Sequence, residues 1–153
     1  MSCNPFSPQS SIWTKDYRRR NIAVADKGNP NVQYKAINNG GKECNLFRVD
    51  GGLIEAGNKC DFLLLVCRTK AKGDKGKAKF IELKGTDLDH AALQIKTSIT
   101  QLEGTLIDDY EIFARIVLNK SPTPEHWGTE YKRLLKRLKG NVIHKSRQFE
   151  ESI

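Results

Sequence analysis

The chain has 153 residues, 38% of them hydrophobic and 29% charged, and its 26 Lys and Arg against 18 Asp and Glu give a formal net charge of +8. That length suits one domain with a self-sufficient core. The longest apolar run, residues 62–67, falls far short of the roughly 20 residues a membrane span needs, so no membrane partner is expected. Met1-Ser2-Cys3-Asn4-Pro5 has neither the basic start nor the apolar stretch of a secretory signal, and a cytoplasmic location is expected. The positive charge favours an anionic partner, because counterion release rewards basic surfaces on nucleic acid. Cys3, Cys44, Cys60 and Cys67 show no Cys-x-x-Cys spacing and are expected to be buried free thiols. His90, His126 and His144 sit at no ligand-like spacing, so a structural zinc is not expected.

Residues 1–20 read as loop, with Asn4-Pro5-Phe6-Ser7-Pro8 near the start. Short strands are predicted at 22–25, 32–37 and 44–49, punctuated by Gly28-Asn29-Pro30, Asn38-Asn39-Gly40-Gly41 and Asp50-Gly51-Gly52. Gly57-Asn58 reads as a tight turn into the next strand, 60–66, whose continuous apolar run suits a central strand covered on both faces. Six of the twelve residues from Arg68 to Lys79 are basic, with Gly73-Asp74 and Gly76 marking a turn. A strand at 79–85 follows. Gly85-Thr86-Asp87 then offers a turn and an N-cap to a helix of about four turns, on which Ala91, Ala92, Ile95, Ile99 and Leu102 recur at helical spacing. A strand over 112–118 is broken from the last helix by Ser121-Pro122-Thr123-Pro124. In the helix predicted over 129–139, Thr129 suits an N-cap and Gly140 a stop, and Tyr131, Leu134, Leu135 and Leu138 share one face. Residues 141–144 form a last short strand. No internal repeat or linker is visible.

Three charges, on two strands, stand where an apolar core would not choose them. Alternation puts Phe80, Glu82 and Lys84 on one face of their strand and Ile81 and Leu83 on the other. If the strands at 60–66 and 79–85 pair, Asp61 sits beside Glu82 and Lys84. Two carboxylates and an ammonium at one spot would hold a divalent cation and a polarised water against a phosphodiester. The competing reading is a cross-strand ion pair on an exposed face, worth a few tenths of a kcal/mol. Arg68, Lys70, Lys72, Lys75 and Lys77 form a basic loop between the two strands, expected next to the proposed phosphodiester site, and it is either a nucleic-acid backbone contact or a solvated hairpin tip. Lys132, Arg133, Lys136 and Arg137 occupy the polar face of the last helix, with the same two readings. No Ser-His-Asp or Cys-His arrangement and no Gly-x-x-x-x-Gly-Lys loop is present.

Over residues 44–120 the chain resembles the PD-(D/E)XK phosphodiesterases, a superfamily of restriction endonucleases, Holliday-junction resolvases and the nuclease domains of recombination helicases. The resemblance rests on Asp61, on Glu82-Leu83-Lys84 and on the following helix with Gln94. It implies one α+β (α/β) domain of restriction endonuclease-like fold. The core, 44–120, would be a central mixed sheet of about four to six strands flanked by helices, with N-terminal strands at 20–49. The activity implied is that of a magnesium- or manganese-dependent nuclease acting on nucleic acid, most simply a DNA endonuclease in a resolvase, restriction or phage-defence setting. Asp61 and Glu82 would be the metal ligands, Lys84 the cation that positions water, and Gln94 the glutamine some members place near the site. A homodimer would cut both strands. Two departures stand out. Cys60 occupies the place of the motif's proline, and no helix precedes the first core strand to donate a further acid. Asp50 and Glu55 are the nearest candidates for that acid, and both read equally well as turn or surface residues. The rival reading is a non-catalytic nucleic-acid-binding or assembly protein on the same fold.

Overall fold

Strands β1 (Asn21–Ala25) and β2 (Gln33–Ile37) bury every second residue, Ile22 and Val24 in one and Tyr34 and Ala36 in the other, so each has one dry face and one wet one. Strands β3 (Cys44–Arg48), β4 (Phe62–Val66) and β5 (Gly76–Lys84) are buried along nearly their whole length and need cover on both sides. A computed structural model, which describes residues 3–6, 8–12 and 17–153, shows how that cover is supplied. The loop reading of residues 1–20 falls in part on residues 1, 2, 7 and 13–16, which lie outside the described residues.

β3, β4 and β5 form an antiparallel meander. Helix α1 (Leu88–Leu106) then crosses over to β6 (Tyr110–Leu118), which lies parallel to β5, and helix α2 (Thr129–Leu138) leads to β7 (Val142–Ser146), parallel to β6. The result is a mixed five-stranded sheet in the order β3-β4-β5-β6-β7. Arg147, at φ 63°, turns the chain into β8 (Gln148–Ser152), which runs parallel to β2 and completes a three-stranded sheet, β1-β2-β8. The architecture is α+β. Phe47, Leu63, Leu65 and Phe80 pack under α1, while Leu46, Leu64, Ile81 and Leu83 meet Ile22, Tyr34 and Phe149 of the small sheet. No helix among the described residues is long and apolar enough to cross a membrane.

Between the sheets lies a buried polar knot. The Glu151 carboxylate accepts from Tyr34 Oη at 2.6 Å, from Arg115 Nε at 2.9 Å and from Lys79 Nζ at 3.0 Å. Lys79, the last cation of the 68–79 run, is therefore an interior residue. β8, which carries Glu151, is an element the sequence reading lacks, while the strand expected at 141–144 is present and longer.

The helix ends show local chemistry overriding the simplest caps. Asp87 caps α1 as expected, its carboxylate accepting from His90 N at 2.9 Å. At α2 the N-cap is Gly128 and not Thr129, and the Tyr131 N–H donates to Asp89 Oδ1 of α1 at 3.0 Å. A Cβ at Gly128 would stand 2.4 Å from that same carboxylate, so the close approach requires glycine.

The expectation of four free thiols is corrected. Cys3 and Cys67 form a disulfide, their Cα atoms 5.5 Å apart, while Cys44 and Cys60 are free and buried. The N-terminal segment returns to the end of β4, where Tyr110 Oη donates to the Cys3 carbonyl at 3.3 Å and the Phe6 ring stands edge-on to Phe47. Partners 64 residues apart leave no trace in local cysteine spacing.

Candidate active site

The register of β4 and β5 pairs Phe62 with Ile81, so one step outward sets Asp61 opposite Glu82. Each acid is held by the other's strand. The Asp61 N–H donates to Glu82 Oε1 at 3.1 Å, and the Leu83 N–H donates to Asp61 Oδ2 at 3.0 Å. Glu82 is only 2% exposed. Burial, reinforced by the Asp61 charge, pushes its carboxyl up to about 9, although the Lys84 ammonium pulls the other way. Burial also raises Asp61; the Leu83 N–H opposes the rise, and the charges of Asp26 and Asp50 add to it. At neutral pH Glu82 therefore keeps its proton beside the half-buried Asp61, which reaches the cleft. Lys84 follows on the same face of β5, half-buried.

Gln94 lies in the second turn of α1, and its Nε2 donates to the Lys59 carbonyl at 3.2 Å. One turn on, Ser98 Oγ accepts from the Cys60 N–H at 2.8 Å while donating to the Gln94 carbonyl at 2.8 Å. These two side chains clamp residues 59 and 60, the segment that delivers Asp61. Gln94 thus holds backbone instead of touching the carboxylates. Its Oε1 is buried with no partner among the described residues.

Of the two candidate extra acids, the structure brings one to Asp61. Asp50 lines the same cleft of about 360 Å³, together with Asp26, Lys27, Arg48 and Phe62. Glu55 is exposed and contributes only its carbonyl, which accepts from Lys59 Nζ at 2.7 Å; the same ammonium stands 3.7 Å from Asp50. Asp26 is an acid the sequence reading missed. It sits in a turn after β1, and only docking of the small sheet carries it to the cleft.

The basic loop does not adjoin the acid pair. Asp61 stands at the entrance of β4 and the 67–75 loop at its exit, five strand residues apart, or about 17 Å. There Arg68 reaches Asp109 at 3.4 Å, Lys75 Nζ donates to the Ile107 carbonyl at 3.2 Å, and Arg68 and Lys70 border a separate cleft of about 660 Å³. Lys72 is exposed in that loop, and the Lys77 ammonium lies 5.9 Å from the Phe113 ring centroid. On α2, Lys132, Arg133, Lys136 and Arg137 are exposed, as the helical spacing predicts. Two of them already have carboxylate partners: Arg133 reaches Glu130 at 3.1 Å and Arg137 reaches Glu103 of α1 at 3.0 Å.

No group of three or more His, Cys, Asp or Glu among the described residues is arranged to hold a metal ion. The Asp61–Glu82 pair nevertheless fits a hard divalent cation, which takes oxygen ligands and keeps several waters of its own. A proton now offsets the repulsion that such a cation would offset better. No protein-family model matches the chain, and neither the curated proteins nor the solved structures include a significant match.

Proposed function

We propose that this protein is a metal-dependent nuclease of the PD-(D/E)XK type, most simply a DNA endonuclease, in a resolvase, restriction or phage-defence role. The observation that carries the proposal is the buried Glu82 beside the half-buried Asp61 at a strand end, each carboxylate accepting a backbone N–H from the other's segment, with Lys84 on the same face. A meander, a crossover helix and a parallel strand behind that pair support a restriction endonuclease-like core. Buried ionisable groups with strongly perturbed affinity for protons gather at functional sites. A non-catalytic binding or assembly protein would keep the surface cations but has no use for a buried acid set against a second one.

Asp61 and Glu82 would hold magnesium or manganese. When bound, such an ion offsets charge on the phosphate and lowers the pKa of coordinated water. The rest falls to the chain. As a ligand Glu82 would have to be ionised, so its proton would leave when an ion is held there. The Leu83 N–H fixes the Asp61 carboxylate, and Gln94 and Ser98 keep the preceding backbone in place. Lys84 orients the attacking water by hydrogen bonding, or meets the charge that grows on a nonbridging oxygen. Cutting both strands of a duplex would call for two copies of the site, as in a homodimer.

Labelled linear, branched and single-stranded DNA and RNA, incubated with and without magnesium or manganese, test the reading. Cleavage is expected only with metal, and Asp61→Ala, Glu82→Ala and Lys84→Ala are each expected to abolish it in folded protein. The two acid variants should also lose metal affinity, which Lys84→Ala should largely keep. Wild-type rates in all three would rule the assignment out.

A further inference from the structure

We infer that the cleft between the end of the small sheet and Asp61 seats the nucleic-acid backbone, with Lys27 and Arg48 as its phosphate-contacting residues; this rests on the nuclease reading of Asp61 and Glu82. The cleft forms where Asp26 and Lys27, just past β1, meet Arg48 and Asp50 at the end of β3 and Asp61 at the start of β4. It is the cleft that Asp61 itself lines, so a phosphate bound there lies within reach of whatever the acid pair holds. A wall of acids alone would repel a phosphodiester. Here Lys27 and Arg48 line the cleft together with Asp26, Asp50 and Asp61, and Lys59, outside the lining, stands 3.7 Å from Asp50 and offsets part of its charge.

Lys27 and Arg48 are exposed, and neither has a carboxylate within ion-pair distance among the described residues, unlike Lys59, Arg133 and Arg137. Arg48 is also held in place. Its cross-strand neighbour is Phe62, and its guanidinium carbon lies 5.6 Å from that ring's centroid. A guanidinium held against an aromatic face keeps its hydrogen-bonding fork free for phosphate oxygens. Lys27 follows β1 of the small sheet and Arg48 ends β3 of the five-stranded sheet, so both lie outside residues 68–79 and α2. The assignment therefore moves the substrate track to the opposite end of β4 from the 67–75 loop.

The test is binding of fluorescently labelled duplex DNA, followed by anisotropy over a salt series with calcium in place of magnesium. The proteins are wild type, the double variant Lys27→Gln with Arg48→Gln, Arg48→Lys, and Lys70→Gln with Lys72→Gln on the far loop. Each lost phosphate contact should lower the log–log salt slope by about 0.9, so the cleft double variant should lose about 1.8 in slope and about 60-fold in affinity at 0.1 M salt. Arg48→Lys should recover the slope but not the full affinity, and the far-loop variant should match wild type. Thermal melts establish that each variant is folded. If wild type cleaves in magnesium while the folded cleft variant binds with unchanged slope, the inference is overturned and the nuclease reading stands. If the slope falls but wild type never cleaves, the cleft binds nucleic acid and the nuclease reading fails. If wild type binds no nucleic acid, both are overturned.

Discussion

Glu82 carries the largest electrostatic tension of the proposed site, and its pH dependence has a definite sign. Its folded-state pKa, about 9, lies above the ordinary 4.5 of a glutamate, because burial and Asp61 both disfavour the anion. The folded protein therefore keeps a proton that the unfolded chain gives up. The stability this contributes is complete below about pH 4.5 and is lost as pH rises toward 9. Glu82→Gln retains the shape and cannot ionise, so it should melt above wild type at pH 8.5, with the gap closing at pH 5. Magnesium at pH 8.5 should raise the wild-type melting temperature and leave the variant unmoved. Coincident melts of the two proteins at pH 8.5 without metal would mean that the acid is already compensated by another charge. The pairing behind this was legible from the sequence, since alternation along 79–85 and a charge at the mouth of an apolar strand are local signals. Asp26 was not legible, because its neighbour at the cleft depends on how a separate sheet docks. Gln94 was expected near the site on the helix after Lys84, but only coordinates reveal that its amide donates to the Lys59 carbonyl.

At the scale of elements, α2 separates a core face from a solvent face, with depths that helical spacing alone does not rank. Tyr131 and Leu134 are buried, whereas Leu135 and Leu138 are only half-buried at the margin. Leu134→Ala should therefore cost about 2–5 kcal/mol, and Leu135→Ala clearly less, in denaturant titrations. Replacing Lys132, Arg133, Lys136 and Arg137 by Gln should move stability little, since exposed pairs such as Arg133–Glu130 contribute at most about 1 kcal/mol. Equal losses for the two leucines would show that the helix packs in another rotation. Periodicity of 3.6 located this helix and α1, and continuous burial located β4, but neither signal orients an element's two ends. The 67–75 loop was for that reason set beside the acids. It joins the β4 exit to the β5 entrance, whereas the acids lie at the β4 entrance and near the β5 exit.

Across the whole molecule, the two sheets are fastened by Glu151, and the cleft exists only while they stay fastened. Nothing in 147–153, a short charged stretch, announces a strand, and its parallel partner β2 lies more than a hundred residues earlier. Pairing at that separation is set by the apolar faces of Tyr34, Phe149 and the β4–β5 surface, not by local pattern. Burial alone would raise the Glu151 carboxyl, but the Arg115 and Tyr34 hydrogen bonds and the Lys79 charge hold it below its ordinary value. Its contribution to stability is therefore present above about pH 4.5 and is lost as pH falls through the depressed value, opposite in sign to that of Glu82. Glu151→Ala leaves Lys79 and Arg115 buried without their carboxylate, a change worth about 3–5 kcal/mol when one partner of a buried ion pair is removed. The neighbouring Glu150, exposed and 4.0 Å from Lys35, serves as control and should cost less than about 1 kcal/mol. Because β1 carries Asp26 and Lys27 toward the cleft, loosening the small sheet should also weaken nucleic-acid binding in protein that is still folded, while metal affinity at Asp61 and Glu82, which the five-stranded sheet supplies, stays near wild type. Denaturant titration, DNA anisotropy and metal titration on the two variants decide the matter. A Glu151→Ala protein as stable as Glu150→Ala would mean that the knot between the sheets contributes nothing to holding them together.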